Sequence, residues 1–289
     1  MISKLKGVIP WYFKLISKLL LARLPVPYTT WSRMSLFKHG YMEDPEYVYS
    51  VVQEHIQRIN PSHVKDLYVL EIGPGDTLLS ALVHYAMGFK STILVDADSF
   101  ARTDFEPYDL MIHYLEKQGY DLSSVKGIST LDELLQRIRA RYLTYGLDSL
   151  KEIPDASVDI IWSQAVLEHI RISEFDEYLS QMHRVLKPNG LCSHRVDLKD
   201  HLGGALNNLR FSRKVWESDF FSQSGFYTNR IRYTDMLERF RVAGFDISWV
   251  SDDRWETVPT PLNKLDKEFQ KLDMNELSIS GFDIILRPA

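Results

Sequence analysis

Histidines and carboxylates cluster in one stretch of the 289-residue chain. Four of the nine histidines lie between residues 169 and 201, and carboxylates stand beside several of them. Imidazole and carboxylate side chains are the commonest general bases in enzymes, because their affinity for a proton can be tuned to near neutral pH. His169, Asp197 and His201 lie one to seven residues after the ends of predicted strands, where parallel sheets place their sites. These three residues are the first candidates for proton transfer.

The same cluster allows two other interpretations. Glu168 and His169 could cap a helix and tether a loop without taking part in chemistry. Together with Asp197 and His201 they are also ligand types that could converge on Mg²⁺ or Zn²⁺. The prediction is a site without a metal ion.

Composition and charge restrict the class of protein. Lys and Arg number 34 against 39 Asp and Glu, so the formal net charge is −5, and 45% of the residues are hydrophobic. These values exclude a disordered or collagen-like chain and argue against nucleic-acid binding driven by overall charge. Cys192 is the single cysteine, so an intrachain disulfide and a cysteine-based zinc site are excluded. A cytoplasmic protein is therefore expected.

Periodicity predicts the elements that must position the candidate residues. An apolar pattern through Ile9, Tyr12, Phe13, Ile16, Leu19 and Leu20 predicts an N-terminal helix, and Asp44-Pro45 opens a second one. Predicted strands then cover 67–72, 91–95, 141–145, 158–162, 191–196, 247–250 and 279–286. Helical segments lie between them, with caps at Ser173 and Thr234 and a turn at 187–190. This alternation predicts an α/β, Rossmann-like fold with a mostly parallel seven-stranded sheet and helices on both faces.

A glycine-rich turn follows the first predicted strand. The segment 69–77 reads V-L-E-I-G-P-G-D-T, and Gly73 and Gly75 allow the backbone to approach a ligand closely. The N–H groups at the start of the next helix favour an anionic group. A dinucleotide fingerprint would need a third glycine at position 78, where Leu78 stands, which argues against NAD or FAD.

Further motifs resemble those of the class I S-adenosylmethionine-dependent methyltransferases. They are, in order, E-x-G-x-G at 71–75, a strand ending in an acid at 93–96, P-D-A-S-V-D-I-I-W-S at 154–163, A-V-L-E-H-I at 165–170, and H-R-V-L-K-P-N-G at 183–190. Asn189 replaces a glycine of the family's R-V-L-K-P-G-G turn. The motifs cover residues from about 67 to 196, and neither the first 60 residues nor 197–232 match a motif.

The resemblance implies S-adenosylmethionine as the cofactor. Gly73 and Gly75 would hold its methionine part through their backbone, and Glu71 would orient the loop or reach the ammonium group through water. Asp96 would accept hydrogen bonds from the two ribose hydroxyls, which suits a carboxylate. Ala97 would lie beside the adenine.

Three more cofactor contacts are implied with a less complete match. Asp148 is the predicted partner of the adenine amino group, although Lys151-Glu152 stands where the family usually has a proline. Ser163 and Gln164 would border the transferred methyl group. His169, Asp197 and His201 are then the predicted catalytic residues at the same rim, because a hydroxyl nucleophile gains from a base.

The segment after the fifth predicted strand is expected to bind the methyl acceptor. Insertions at this place commonly build the acceptor pocket in the family, and 197–232 is rich in aromatic and basic residues. Tyr227, Asn229 and Arg230 are the predicted substrate contacts.

The expected acceptor is a small molecule or glycan, methylated at a hydroxyl oxygen. The alternatives are N- or C-methylation, or a related protein that has lost catalysis; no nucleic-acid partner is expected, because no N-P-P-Y-type motif follows the fourth strand.

Residues 1–60 form a predicted N-terminal extension to a methyltransferase domain at 61–289. No acidic residue precedes Glu43, and no apolar run approaches the length of a membrane span. The N-terminal helix could fold over the acceptor site as a lid, which is the preferred interpretation. Alternatively, residues 1–25 could contact an anionic membrane surface from the cytoplasm. The sequence leaves the oligomeric state open.

Overall fold

A seven-stranded sheet forms the centre of the molecule. The computed structural model describes residues 10–21, 23 and 42–289. The strands are β1 (Tyr68–Ile72), β2 (Ser91–Val95), β3 (Ala140–Leu143), β4 (Val158–Gln164), β5 (Leu186–Asp197), β6 (Phe245–Arg254) and β7 (Ile279–Pro288). Their order is β3-β2-β1-β4-β5-β7-β6, with β1 to β5 parallel and β7 antiparallel to its two neighbours. The predicted mostly parallel seven-stranded sheet is confirmed.

Helices cover both faces of this sheet, as predicted. They are α1 (Trp11–Leu21), α2 (Pro45–Ile59), α3 (Leu79–Met87), α4 (Glu106–Lys117), α5 (Leu131–Arg137), α6 (Leu147–Lys151), α7 (Ile172–Val185), α8 (Arg213–Trp216), α9 (Asp219–Ser222), α10 (Tyr233–Val242) and α11 (Met274–Ser278). The core on one face is built with α2 to α5, and the core on the other face with α7 and α10. Within the described ranges, no helix combines the length and apolar character needed to cross a bilayer.

Helix α2 begins and ends where its sequence signals predict. The Asp44 side chain accepts hydrogen bonds from the backbone N–H groups of Glu46 and Tyr47, and Pro45 occupies the first turn. Asn60 ends the helix in the left-handed conformation. Although α2 falls within the predicted N-terminal extension, its buried residues belong to the same core as those of α3 and α4.

The turn predicted at 187–190 is wrong, because β5 continues through it. Val158 pairs with Leu186, and Ile160 then pairs with Leu191, so two steps along β4 match five along β5. The chain bulges but stays in the sheet. Gly190 permits this, since a Cβ there would lie 2.6 Å from the Leu186 side chain and 3.0 Å from the Asp159 carbonyl oxygen.

The predicted side-chain caps at Ser173 and Thr234 are also wrong. Helix α7 begins at Ile172, one residue before Ser173, and its N-cap residue makes no side-chain hydrogen bond. Thr234 lies inside the first turn of α10, where its hydroxyl donates to Glu276 instead. Packing against neighbouring segments sets both helix starts.

Helix α1 exists as predicted but buries a different side. Leu15 is buried, and Trp11 and Leu19 pack beside it on an aromatic cluster from the segment 202–227. The expected face is exposed instead at Tyr12, Phe13, Ile16 and Leu20, and Ile9 lies outside the described residues. The helix is apolar on most of its circumference, so periodicity alone does not select the face that packs.

Candidate active site

The glycine-rich turn after β1 stays close to the segment after β4. Gly73 and Gly75 have φ angles of +73° and +75°, in the left-handed region that side chains disfavour. A Cβ at Gly73 would lie 2.5 Å from the Val166 side chain. Position 73 therefore requires glycine for two reasons, its backbone conformation and its packing.

Asp96 follows the last residue of β2, and neighbouring backbone N–H groups orient its carboxylate. One oxygen accepts from the Gly75 N–H (3.0 Å) and the other from the Ala97 N–H (2.8 Å). The Asp96 carbonyl accepts from Gly146 N–H (2.8 Å), which ties the loop after β3 to the same place. Asp96 is 8% exposed, whereas Ala97 is exposed at the surface beside it.

Glu71 lies inside β1, one residue before the turn begins. Its carboxyl is buried and accepts a hydrogen bond from the Ser80 hydroxyl at the start of α3. Burial raises the pKa of Glu71 to about 8, with the Asp96 charge contributing in the same direction. The carboxyl is therefore protonated at neutral pH.

Ser163 and Gln164 end β4 and face opposite sides of the sheet. The Ser163 hydroxyl hydrogen-bonds His194 Nδ1 (2.8 Å). Gln164 Oε1 accepts from His55 Nε2 (3.0 Å), so His55 Nδ1 accepts from the Ser193 hydroxyl (2.7 Å). Burial lowers the pKa of His55 to about 4, which keeps this ring neutral.

His55 was not singled out by the sequence. It lies on the apolar face of α2, where a histidine is indistinguishable from an ordinary core residue. Only the tertiary structure shows that it fixes the orientation of the Gln164 amide.

Asp148 lies two residues after Gly146, whose backbone N–H donates to the Asp96 carbonyl. The Asp148 side chain is exposed on α6 and pairs with Lys151 (3.2 Å), which also pairs with Glu177 (3.0 Å). Its contact with adenine stays a prediction.

The structure brings the three predicted catalytic residues to one edge. His169 ends a short 3₁₀ turn after β4, and its ring centroid lies 4.8 Å from that of His201. His169 Nδ1 donates to the Tyr227 carbonyl oxygen (2.8 Å). Asp197 ends β5 and donates its backbone N–H to Glu168 Oε1 (3.2 Å). Burial raises the pKa of Asp197 above its ordinary value.

The three predicted substrate residues form the wall beside these groups. The Asn229 amide donates to the Leu167 and Ile170 carbonyls (2.8 and 3.0 Å), so it fastens the turn that carries His169. The Tyr227 hydroxyl donates to Glu217 (2.7 Å). Arg230 is 8% exposed, and its guanidinium lies over the rings of Trp216 and Phe269. Their direct contact with an acceptor stays a prediction.

A small polar cavity lies between this wall and the end of β5. Its lining includes Glu168, Asp197, Asn208, Thr228, Arg230 and Arg232. Four buried atoms of these residues have no hydrogen-bond partner among the described residues, namely Glu168 Oε2, Asn208 Oδ1 and the Nε atoms of Arg230 and Arg232. Such atoms are costly to leave unpaired, so the cavity favours a polar occupant.

Burial shifts the pKa values of the ionisable groups around the cavity. Burial, reinforced by the Asp197 charge, raises the pKa of Glu168 well above its ordinary value and so favours the neutral carboxyl. Burial lowers the pKa of Arg230 and of Arg232 to about 10, which leaves both guanidinium groups charged. The cavity is therefore lined by two guanidinium groups and by the carboxyl groups of Glu168 and Asp197.

The alternative metal site does not form within the part of the chain that the structure describes. No three His, Cys, Asp or Glu side chains there are placed to share a metal ion. Glu168, His169, Asp197 and His201 thus share an edge without the arrangement of a ligand set.

A comparison with known families matches part of the chain. A family model described as a methyltransferase domain matches residues 108–193, which include β3, β4, α7 and most of β5. Glu71 and Asp96 lie outside the matched residues. The matched part belongs to a Rossmann-like sheet whose last strand, β7, is antiparallel to its neighbours.

Solved structures similar to this chain are distant in sequence. A chain of the Haloferax volcanii complex with the Trm112 methyltransferase activator is 14% identical, with 90% of this chain and 96% of that chain covered and a TM-score of 0.49. A phosphoethanolamine N-methyltransferase of Haemonchus contortus is also 14% identical, with 91% and 61% covered and a TM-score of 0.48. An S-adenosylmethionine-dependent methyltransferase of Mesorhizobium loti is 14% identical, with 82% and 97% covered and a TM-score of 0.45. The search of curated proteins gave no match.

Proposed function

We propose that this chain is an S-adenosylmethionine-dependent methyltransferase that acts on a hydroxyl oxygen of a small molecule or glycan. The observation that carries the proposal is the orientation of the His169 ring. Because Nδ1 donates to the Tyr227 carbonyl, the neutral ring has its lone pair on Nε2. A hydroxyl nucleophile loses its proton as it attacks, and an imidazole nitrogen at the rim is suited to accept that proton.

For the cofactor we assign the edge formed by β1 and β2. The residues there fit S-adenosylmethionine, because Gly73 and Gly75 both adopt the left-handed backbone conformation of a tight turn, which lets the main chain approach a ligand closely. The Asp96 carboxylate is held at the strand end, and each of its oxygens can accept more than one hydrogen bond, as a ribose diol requires. Ala97 would contact the adenine. Glu71, Asp148, Ser163 and Gln164 complete the proposed set.

The residues of the chain position the acceptor and accept the proton that its hydroxyl group loses. Bound S-adenosylmethionine supplies an electrophilic methyl group and a thioether leaving group. His169 Nε2 takes the hydroxyl proton, and the His201 ring beside it restricts the orientation of the imidazole. Asp197 accepts a hydrogen bond from the acceptor and so aligns the attacking oxygen.

The polar cavity has room for about one water-sized group, so it supports an acceptor that places a single hydroxyl or anionic oxygen there. Arg230 and Arg232 offer guanidinium Nε donors there, and the Glu168 carboxyl can also donate in its protonated form. Tyr227 and Asn229 support this wall through hydrogen bonds to neighbouring segments. We assign Arg230 the direct acceptor contact.

Methyl transfer to pools of hydroxylated small molecules and oligosaccharides tests the proposal. With ¹³C-methyl-labelled S-adenosylmethionine, the chemical shift of the new methyl group distinguishes attachment to oxygen from attachment to nitrogen or carbon. His169→Ala is expected to lower the rate roughly 10²-fold while the affinity for S-adenosylhomocysteine is kept. His113→Ala is the matched control, since His113 is exposed and its Nδ1 also donates to a carbonyl (2.8 Å). An N- or C-linked methyl product, or full activity in His169→Ala, would overturn the assignment.

We also propose that α1 is a lid over the acceptor side. Its inner face packs on the cluster that contains Tyr227, and Lys18 Nζ donates to the His201 carbonyl (3.1 Å). Leu15→Ala should therefore speed hydrogen exchange in α1 and in 202–227, because it removes the buried contact. Leu20→Ala, on the exposed side of the same helix, should leave exchange unchanged. Equal effects of the two substitutions would contradict the lid.

A further inference from the structure

The outer side of α1 presents a continuous apolar stripe. Tyr12, Phe13, Ile16 and Leu20 are 46%, 55%, 51% and 65% exposed. With 3.6 residues per turn, these positions fall within an arc of about 100° around the helix axis. The inner face, where Leu15 is buried, lies on a different side of the helix.

The stripe continues onto the insertion that α1 covers. Phe220 is 53% exposed, and the Arg23 guanidinium lies 3.6 Å from its ring centroid. Arg23 also donates to the Phe220 carbonyl (2.6 Å), which holds the two segments together. We call Tyr12, Phe13, Ile16, Leu20 and Phe220 the outer patch.

Positive charge surrounds the outer patch in the sequence. The first 42 residues contain seven basic residues and no acidic one, so the remaining 247 residues carry a formal net charge of −12. Arg213 and Lys214 are exposed on α8, next to the partly exposed Val215. The apolar stripe therefore belongs to a basic segment of a protein whose overall charge is acidic.

We propose that the outer patch docks on a bilayer leaflet that contains anionic lipid. Aromatic and aliphatic side chains of one helix face enter the boundary between headgroups and acyl chains, while lysines and arginines attract the headgroups. A second copy of the chain is a poorer occupant, because the same basic region would face itself and repel. This docking does not depend on which acceptor the enzyme methylates. It leaves the inner face of α1 on the insertion.

Sedimentation of the full chain with lipid vesicles tests the docking. Vesicles of phosphatidylcholine mixed with phosphatidylglycerol should bind the protein, and added salt should weaken the binding by screening. Vesicles of phosphatidylcholine alone should bind much less. The double variant Ile16→Ser, Leu20→Ser should lower the partition coefficient at least roughly tenfold, since two apolar side chains no longer leave water.

Matched substitutions separate docking from general effects of exposed apolar residues. Leu110 and Val242 are 55% and 80% exposed on α4 and α10, so Leu110→Ser and Val242→Ser should keep wild-type sedimentation. Absence of binding to the mixed vesicles would overturn the proposal, as would equal binding to both vesicle types that salt does not change. A dimer seen by light scattering and lost in the double serine variant would assign the outer patch to a second copy instead.

Discussion

Glu71 and His55 show how burial sets protonation at single residues. The pKa of the buried Glu71 carboxyl is about 8, so it keeps its proton up to about that pH. The pKa of the buried His55 imidazole is about 4, so the ring stays neutral down to about that pH. In both cases the neutral form is favoured because the charged form loses its hydration. Two neutral side chains therefore stand beside the proposed cofactor site at pH 7.

Cofactor binding should release a proton from Glu71. The proposed site brings the ammonium group of the cofactor's amino-acid part towards this carboxyl, which favours the carboxylate and lowers its pKa in the complex. The free protein thus holds a proton at pH 7 that the complex does not, so affinity should rise with pH and level off above about 8. Calorimetry of S-adenosylhomocysteine binding in buffers of different ionisation enthalpy measures the released protons. Glu71→Gln should release none, and an equal release in that variant would exclude Glu71.

His55→Leu should destabilise the protein. The Ser193 hydroxyl and Gln164 Oε1 would lose their partner, at a cost of about 1–3 kcal/mol for a buried unpaired group. Since the folded-state pKa is lowered, wild-type stability falls as pH drops from 6.5 towards about 4, so the difference should narrow there. Urea denaturation measures both effects. His63→Leu, at an exposed site just after α2, is the control, and unchanged stability of His55→Leu would contradict the network.

At the scale of elements, the turn after β1 should depend on glycine for two separable reasons. Gly73→Ala forces a Cβ against Val166 and strains a φ of +73°, whereas Gly127→Ala strains a φ of +79° with nothing within 4 Å. Gly73→Ala should therefore lose more thermal stability than Gly127→Ala and also lose cofactor affinity. Adding Val166→Ala should restore part of the loss. Equal melting temperatures of the two single variants would show that the clash has no effect.

Local signals predicted most elements but not how they pack. The strand at 67–72 was readable as an apolar run, and Asp44-Pro45 and Gly88 mark helix ends that the structure confirms. The buried side of α1 was not readable, because the aromatic surface that selects it comes from residues about 200 positions away. The turn at 187–190 failed for the same reason, since pairing with β4 keeps the segment in the sheet.

The candidate site was predictable to a similar extent. The glycines and Asp96 lie in one short stretch with a recognisable spacing, so the sequence alone indicates them. His55 and Asn208 carry no local signal in the sequence. The partner of His55 lies more than a hundred positions away, and the partner of Asn208 lies about twenty positions away. Asn229 was expected to bind the acceptor, but its amide donors are occupied by backbone carbonyls.

At the scale of the whole molecule, the strand order explains why these residues lie at one edge of the sheet. Placing β1 between β2 and β4 brings the ends of three strands, and so Gly73, Asp96 and Ser163, to one edge of the sheet. The next strand, β5, adds Asp197 and leads into the insertion with Arg230. The cofactor and the acceptor are thus proposed to meet at the end of β4.

The central claim is that this edge binds S-adenosylmethionine through Asp96, and calorimetry with S-adenosylhomocysteine tests it most directly. The full chain should bind one equivalent with a dissociation constant on the order of 1 µM or tighter, and NAD should not bind. Asp96→Ala should lose about 2–3 kcal/mol of charge-assisted hydrogen bonding to the ribose, which is roughly a 30- to 150-fold loss of affinity. Asp98→Ala, at an exposed position two residues on, should bind as the wild type does. Absence of binding by the wild type, or unchanged affinity in Asp96→Ala, would contradict the claim.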